Sequence, residues 1–319
     1  MSFSGNVKEE LSHHLGSARH CRIAETAAII SICGGVMIDS RGRYSLKIHT
    51  ENLSVARKCF TLLTKTFNIR TDIAIRTNRM KGSVSYYIVV KEHDAALRIL
   101  QATKLIDQYG EVEEELSVVR NIVIQETCCK RAFIRGAFLA SGSMSDPEKS
   151  YHFEIVCATR EKAEQIQKIM KCFELDGKIV LRKKSFVVYL KEGSQIADVL
   201  NVMEAHVALM EFENVRILKD MRNTVNRKVN CETANINKTV SAAVKQIDDI
   251  RYIQETKGLD KLPEGLKDMA LTRLTYPEAS LKELGSLLTP PVGKSGVNHR
   301  LRKLSEMAEE LRTKQGGAL

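Results

Sequence analysis

Apolar residues recur along this chain with two periods, and the alternation between them happens twice. The run Ile23–Cys33 is mostly apolar and ends in Gly34-Gly35; the run Lys130–Ser141 is built alike, with Gly136 inside it and Gly142 at its end. Each reads as a buried helix stopped by glycine. Behind them come the alternating stretches Tyr44-Ser45-Leu46-Lys47-Ile48 and Tyr151-His152-Phe153-Glu154-Ile155, which have the period of a half-buried strand. Amphipathic helices are predicted at Val55–Phe67 and Glu161–Phe173. Strand pairs follow at Asp72–Thr77 with Val84–Val90, and at Lys178–Arg182 with Phe186–Leu190. Short helices at Asp94–Ala102 and Ser194–Met203 close the two copies. The order in each is read as helix, two strands, helix, two strands, helix, a repeat of about 100 residues in which the first strand of the opening pair is given no residues of its own.

Two α+β units of one kind should dock as a pseudo-symmetric pair. This assigns repeat 1 to about residues 20–105, repeat 2 to about 127–205, and the whole domain to 1–222. The acidic segment Asp107–Glu126 joins the repeats and is expected to be helical. After a helix at Ala205–Met221 the chain is rich in asparagine and basic residues: Arg222, Asn223, Asn226, Arg227, Lys228, Asn230, Asn235 and Asn237. Asparagine favours turns and caps over helix interiors, so residues 223–238 are expected to form a loop-rich linker.

Residues 239–319 read as an all-α domain. Thr239–Lys257 repeats Val240, Ala243, Val244, Ile247, Ile250 and Ile253 with a helical period, and Gly258 stops it. Leu262–Leu274 continues the bundle after a Pro263 start, and Pro277 opens the next element. Ser280 and Glu283 form the capping-box pattern ahead of a short helix, Leu281–Leu288. Thr289-Pro290-Pro291-Val292-Gly293 forbids its continuation. A second helix then runs from Ser295 to about Arg312, with Val297, Leu301, Leu304, Ala308 and Leu311 as its apolar stripe.

Short helix, tight turn and longer helix make the helix-turn-helix layout, whose second helix enters the major groove. We place it at about 280–312, within Ala279 to Arg312. Opposite the stripe lie Ser295, His299, Arg302 and Lys303, flanked by Asn298 and Arg300. Hydroxyl, amide, imidazole and guanidinium groups read base edges, while Lys294 and Lys303 suit phosphates. No acidic residue occurs from Val292 to Ser305. A two-helix packing unit with a basic, solvated face is the plainer alternative.

Charge supports a polyanionic partner without identifying one: 49 Lys+Arg against 39 Asp+Glu leave a net charge of +10. Further basic residues, Arg70, Arg76, Arg79, Lys81, Arg182, Lys183 and Lys184, fall near the predicted hairpins. They leave open whether the sheet faces contact DNA or serve as a partner-binding scaffold. No stretch reaches the roughly 18 apolar residues of a membrane span. Lys8, Glu9 and Glu10 occupy the place of a signal peptide's apolar region, so the expected location is the cytoplasm, on the nucleoid. The eight cysteines show no CxxC spacing. The nearby His13, His14, His20 and Cys21 likewise lack ligand spacing, so neither a metal nor another cofactor is assigned.

The element order, with a glycine-ended helix opening each half, resembles the LAGLIDADG homing-endonuclease fold. There the two motif helices pack side by side, and small residues let the backbones approach; Ala27, Ala28 and Gly34 fit that need in the first copy, and Gly136, Ala140 and Gly142 in the second. Such a nuclease carries an acid just before the final glycine of each motif, to hold metal against phosphate. Here those positions are Cys33 and Ser141, poor ligands for a hard cation. Asp39 and Asp146 sit past the glycines. The expectation is a catalytically inactive descendant; an active metal-dependent nuclease, or a protein-interaction scaffold without DNA readout, are the alternatives.

Three strings carry a closer likeness. Asn230-Cys231-Glu232-Thr233-Ala234-Asn235, Ser280-Leu281-Lys282-Glu283-Leu284-Gly285 and Lys294-Ser295-Gly296-Val297-Asn298-His299-Arg300-Leu301-Arg302-Lys303-Leu304 resemble the WhiA family of Gram-positive bacteria, with likeness over essentially the whole chain. That resemblance implies a transcription-factor-like protein that binds double-stranded DNA. It links the chain to cell division and chromosome segregation, and to sporulation in some lineages. It also implies a helix-turn-helix similar to sigma-factor region 4. Another regulatory protein is the expected partner of the LAGLIDADG-like domain.

Overall fold

The computed structural model describes residues 2–78, 82–106 and 119–316, in two compact units, Met1–Asp220 and Met221–Leu319. Arg79, Lys81 and most of the acidic joining segment lie outside the described residues. The described end of that segment forms a 3-10 turn, Asn121–Ile124, in place of the helix expected there.

In the first unit each half follows the predicted order. The first runs α2 (Arg19–Cys33), β1 (Gly34–Ile38), β2 (Tyr44–Thr50), α3 (Leu53–Phe67), β3 (Asp72–Asn78), β4 (Ser83–Val90) and α4 (His93–Thr103). The second runs α5 (Thr127–Ser141), β5 (Gly142–Met144), β6 (Phe153–Cys157), α6 (Arg160–Lys171), β7 (Lys178–Arg182), β8 (Ser185–Leu190) and α7 (Gly193–Met203). The two four-stranded antiparallel sheets have equivalent orders, β1-β2-β4-β3 and β5-β6-β8-β7. The glycines that stop α2 and α5 also begin strands: Gly34 pairs with Ile48, and Gly142 with Ile155. A helix not foreseen, α1 (Phe3–His13), precedes the repeats; Ser2 caps it, and Phe3, Val7 and Leu11 are buried.

The halves meet along α2 and α5, whose middles are almost wholly buried. Gly136 makes the close approach feasible. A Cβ there would lie 2.5 Å from the Glu25 carbonyl oxygen and 3.0 Å from the Ala28 methyl, so even alanine would push the helices apart.

Buried charge sits in the same seam. The Glu25 carboxylate, 0% exposed, contacts Lys58 Nζ at 2.9 Å and Arg135 Nε at 3.3 Å. Lys58 also donates to the Leu11 carbonyl at 3.3 Å and to that of His14. Arg135 donates to the Met203 carbonyl at 3.3 Å and to Glu204, which in turn meets His14 at 3.2 Å. Burial pushes the Lys58 ammonium below its ordinary range, and Glu25 opposes that shift.

The helix α8 (His206–Thr256) is continuous through the segment where a loop-rich linker was expected. Glu10 caps its start, accepting from Val207 N at 2.8 Å and Ala208 N at 2.9 Å. Asparagine disfavours a helix interior by only about 0.7 kcal/mol at most, whereas propagation from formed helix on either side is favourable. No glycine or proline interrupts the chain between His206 and Lys257, and the helix ends at Gly258, whose φ is +79°.

Candidate nucleic-acid interface

The second unit packs the end of α8 against α9 (Glu264–Thr275), α10 (Leu281–Leu287) and α11 (Lys294–Gly316). Ile250, Ile253, Leu266, Met269 and Leu284 close over Val297, Leu301, Leu304 and Ala308, which are all within 1% of complete burial. The predicted stripe is therefore the face by which α11 is held. The capping box at the start of α10 is formed: Ser280 N donates to Glu283 Oε2 at 2.7 Å, and Glu283 N to Ser280 Oγ at 3.4 Å.

Gly285 sets the tight turn between α10 and α11. Val292 N donates to its carbonyl at 2.9 Å, and a Cβ on Gly285 would stand 2.1 Å from the Val292 oxygen. Gly285→Ala should therefore lower the unit's stability by about 1–3 kcal/mol, the usual cost of overpacking. A thermal-melting comparison of the two full chains checks this.

Lys294, Ser295, Asn298, His299, Arg302 and Lys303 are exposed along the outward side of α11. Arg302 Nε holds Glu306 at 3.0 Å, but both side chains are more than half exposed. Such a surface pair is worth about 0–1 kcal/mol and is readily exchanged for another anion. Arg300 departs from the expected arrangement. It is only half-exposed, its guanidinium lies against Gly265, and Nη1 donates to the Gly265 carbonyl at 3.2 Å. Its position on the flank of the stripe turns it back towards α9, so it serves as a brace between helices. Periodicity alone could not reveal this, because the acceptor comes from a distant helix. Behind the same face, Arg312 reaches the buried Asp249 at 2.7 Å and covers the Tyr252 ring. Buried Arg273 donates to the Ala279 carbonyl at 2.6 Å.

The helix ends that would carry nuclease acids are occupied otherwise. Cys33 Sγ contacts the Ile29 carbonyl at 3.2 Å, and burial pushes its thiol up to about 12. Ser141 Oγ donates to the Val156 carbonyl at 2.7 Å. Asp39 is spent on its own turn, accepting from Arg41 N, Arg43 N and Arg43 Nε at 2.8–2.9 Å. Asp146 accepts from Glu148 N at 3.0 Å in the equivalent turn. Of the hairpin cations, Arg182 pairs with Glu154 at 3.2 Å.

The grouping of His13, His14, His20 and Cys21 by sequence proximity does not survive folding. His13 Nδ1 contacts the Glu9 carbonyl, and His14 joins Glu204. His20 and Cys21 instead lie beside Cys128 and Cys129, more than 100 residues away. Among the described residues no helix is long and apolar enough to cross a membrane.

Two α+β halves joined at their glycine-ended helices, followed by a helical unit that presents a basic helix, define a LAGLIDADG-like protein with a helix-turn-helix domain. Three family models match in that arrangement: the WhiA N-terminal LAGLIDADG-like domain over residues 19–106, the WhiA LAGLIDADG-like domain over 130–222, and the WhiA C-terminal HTH domain over 225–308. The chain belongs to the WhiA family. A relative named "Probable cell division protein WhiA" from Lachnoclostridium phytofermentans is 59% identical over 313 residues, covering 98% of this chain and 100% of its own. Another so named, from Alkaliphilus oremlandii, is 48% identical and covers 98% of each chain. The crystal structure of "full-length DUF199/WhiA from Thermatoga maritima" matches with a TM-score of 0.58 at 25% identity, covering 97% of this chain and 99% of its own.

Proposed function

We propose that this protein is a sequence-specific regulator that binds double-stranded DNA through α11, acting on the nucleoid in cell division and chromosome segregation. The outward face of α11 carries this reading. Lys294, Ser295, Asn298, His299, Arg302 and Lys303 are exposed together on a helix whose other side is locked into a core, with no acidic residue from Val292 to Ser305. A rigid helix offering cations for phosphates and planar or amide groups for base edges is what major-groove reading requires. The names of the relatives support the cell-division role. Chromosome segregation, and sporulation in some lineages, rest on family membership. Chromatin immunoprecipitation, with gel shifts of the full chain on the recovered fragments, tests the reading. Recovery of discrete fragments that the purified chain binds over random DNA supports it; uniform binding removes sequence specificity.

The LAGLIDADG-like unit is proposed to be catalytically inactive, because Cys33, Ser141, Asp39 and Asp146 have local partners and offer no paired carboxylates at the helix ends. Plasmid incubated with the full chain and Mg²⁺ or Mn²⁺ should remain supercoiled. Specific nicking that disappears with Asp39→Asn or Asp146→Asn would overturn this. Exposed apolar residues on the outer strands, Ile73 and Ile75 on β3 with Val180 and Leu181 on β7, favour protein docking as the retained use of this unit.

A further inference from the structure

The two central helices of the LAGLIDADG-like unit begin side by side, and each brings a pair of metal-ligating side chains in its first turn. α2 supplies His20 and Cys21, while α5 supplies Cys128 and Cys129. One imidazole nitrogen and three sulfurs lie within 4.8 Å of one another. His20 Nδ1 stands 3.1 Å from Cys129 Sγ, 3.5 Å from Cys21 Sγ and 4.0 Å from Cys128 Sγ. We propose that these four residues form a zinc site that clamps the two halves together at the open end of their central seam.

The distances fit a single tetrahedral ion. With Zn–S near 2.3 Å and Zn–N near 2.0–2.1 Å, tetrahedral angles put sulfurs about 3.8 Å apart and nitrogen about 3.5 Å from sulfur. The three nitrogen–sulfur distances, 3.1, 3.5 and 4.0 Å, bracket that value, and no two of the four atoms are more than 4.8 Å apart, so seating an ion needs side-chain adjustments of about an ångström. Thiolate and imidazole ligands disfavour Mg²⁺ and Ca²⁺, which take oxygen. An iron–sulfur cluster spreads its four ligands over two or four irons and would hold some of the sulfurs farther apart than one ion does.

The surroundings fit a thiolate site. Three thiolates, a neutral imidazole and Zn²⁺ leave one net negative charge, and it would rest on two helix N-termini, where the peptide dipoles favour an anion. Neither terminus has a side-chain cap: Ala18 and Glu126 occupy the capping positions without making that bond, so first-turn N–H groups remain available to sulfur. Cys21 and Cys129 are buried, whereas His20 and Cys128 are exposed, which gives an ion access from one side. Binding would release a proton from each thiol that ionises. A clamp here would tie residues of the first repeat to residues of the second across the pseudo-twofold seam.

The test uses the full chain, purified under reducing conditions without chelator. Elemental analysis should find close to one zinc per chain. After stripping, Co²⁺ should produce thiolate-to-cobalt charge-transfer absorption and the intense visible bands of tetrahedral cobalt. Cys128→Ser is the first variant, because its exposed thiol supports no core packing; His20→Asn is the second, should Cys128→Ser fold poorly by circular dichroism. Either should weaken zinc retention in chelator competition by at least the roughly 10–100-fold that loss of an outer-sphere partner costs. The double variant Cys172→Ser/Cys231→Ser, which removes two exposed cysteines outside the cluster, should behave as wild type. Absence of stoichiometric zinc together with no tetrahedral cobalt spectrum from the reduced, folded wild-type chain overturns the proposal. So does a cobalt spectrum unchanged in both folded cluster variants, or purification of the chain with copper in place of zinc.

Discussion

Glu25→Ala should cost the N-terminal unit about 3–5 kcal/mol, because it strands two buried cations by removing the fully buried anion between them. Lys58 and Arg135 are each 1% exposed, and among the described residues the other acid of the cluster, Glu204, pairs with Arg135 and not with Lys58. The chain contains no tryptophan, so far-UV circular dichroism during urea unfolding is the readout. A pH series sharpens the result. Burial already depresses the Lys58 ammonium from its ordinary value of 10.5, with Glu25 opposing, so removing Glu25 must depress it further. Between the lowered folded value and 10.5 the unfolded chain holds a proton that the folded variant has released. Stability must then rise with pH in that window, more steeply than in wild type, and the deficit must narrow towards alkaline pH. Glu25→Gln/Lys58→Met removes one charge of each sign, leaves Arg135 with Glu204, and should recover part of the loss through a coupling of about 0.5–3 kcal/mol. A Glu25→Ala chain as stable as wild type at neutral pH would show that this seam is held by packing alone.

The contrast between that seam and the sheets explains what could be read in advance. Strands such as Tyr44–Thr50 and helices such as Leu53–Phe67 bury one face, so each writes its own period into the chain. The first strand of each half did not. β1 opens on Gly34-Gly35 and β5 has only three residues, too few to display an alternation. The buried ion cluster was illegible for another reason: Glu25 is a single acid within the apolar run Ile23–Cys33, and its partners Lys58 and Arg135 lie 33 and 110 residues away. The His–Cys cluster is two dipeptides on separate helices, and no ligand spacing within either strand of sequence announces it. In α11 the stripe and its polar opposite followed from the period. The turning inward of Arg300 depended on Gly265, a residue of α9 that no local pattern could bring near.

That division within α11 leads to the strongest test of DNA reading, four single variants measured together for circular dichroism and DNA affinity. Leu301→Ala empties a position that is 1% exposed, at a cost of roughly 2–5 kcal/mol, so helicity and binding should fall together. Arg300→Ala should also lose stability, by about 1.5–3 kcal/mol if its charge-assisted bond to Gly265 carries the usual weight, with binding following the fold. Arg302→Ala gives up only an exposed pair with Glu306 and should shift stability by less than about 0.5 kcal/mol. If Arg302 reads a guanine edge, the same variant should lose about 1–3 kcal/mol of specific binding and relax the preference at one base pair. Lys303→Ala should weaken all DNA sequences about equally. Wild-type log affinity should fall against log salt with a slope of about −4 to −7, as expected for roughly four to eight phosphate contacts, and Lys303→Ala should reduce that slope by about one. Stable Arg302→Ala and Lys303→Ala chains that bind a specific site as tightly as wild type would exclude α11 as the recognition helix. The search would then move to the basic hairpins of the sheets, where Arg76 and Lys184 would be the next residues to replace.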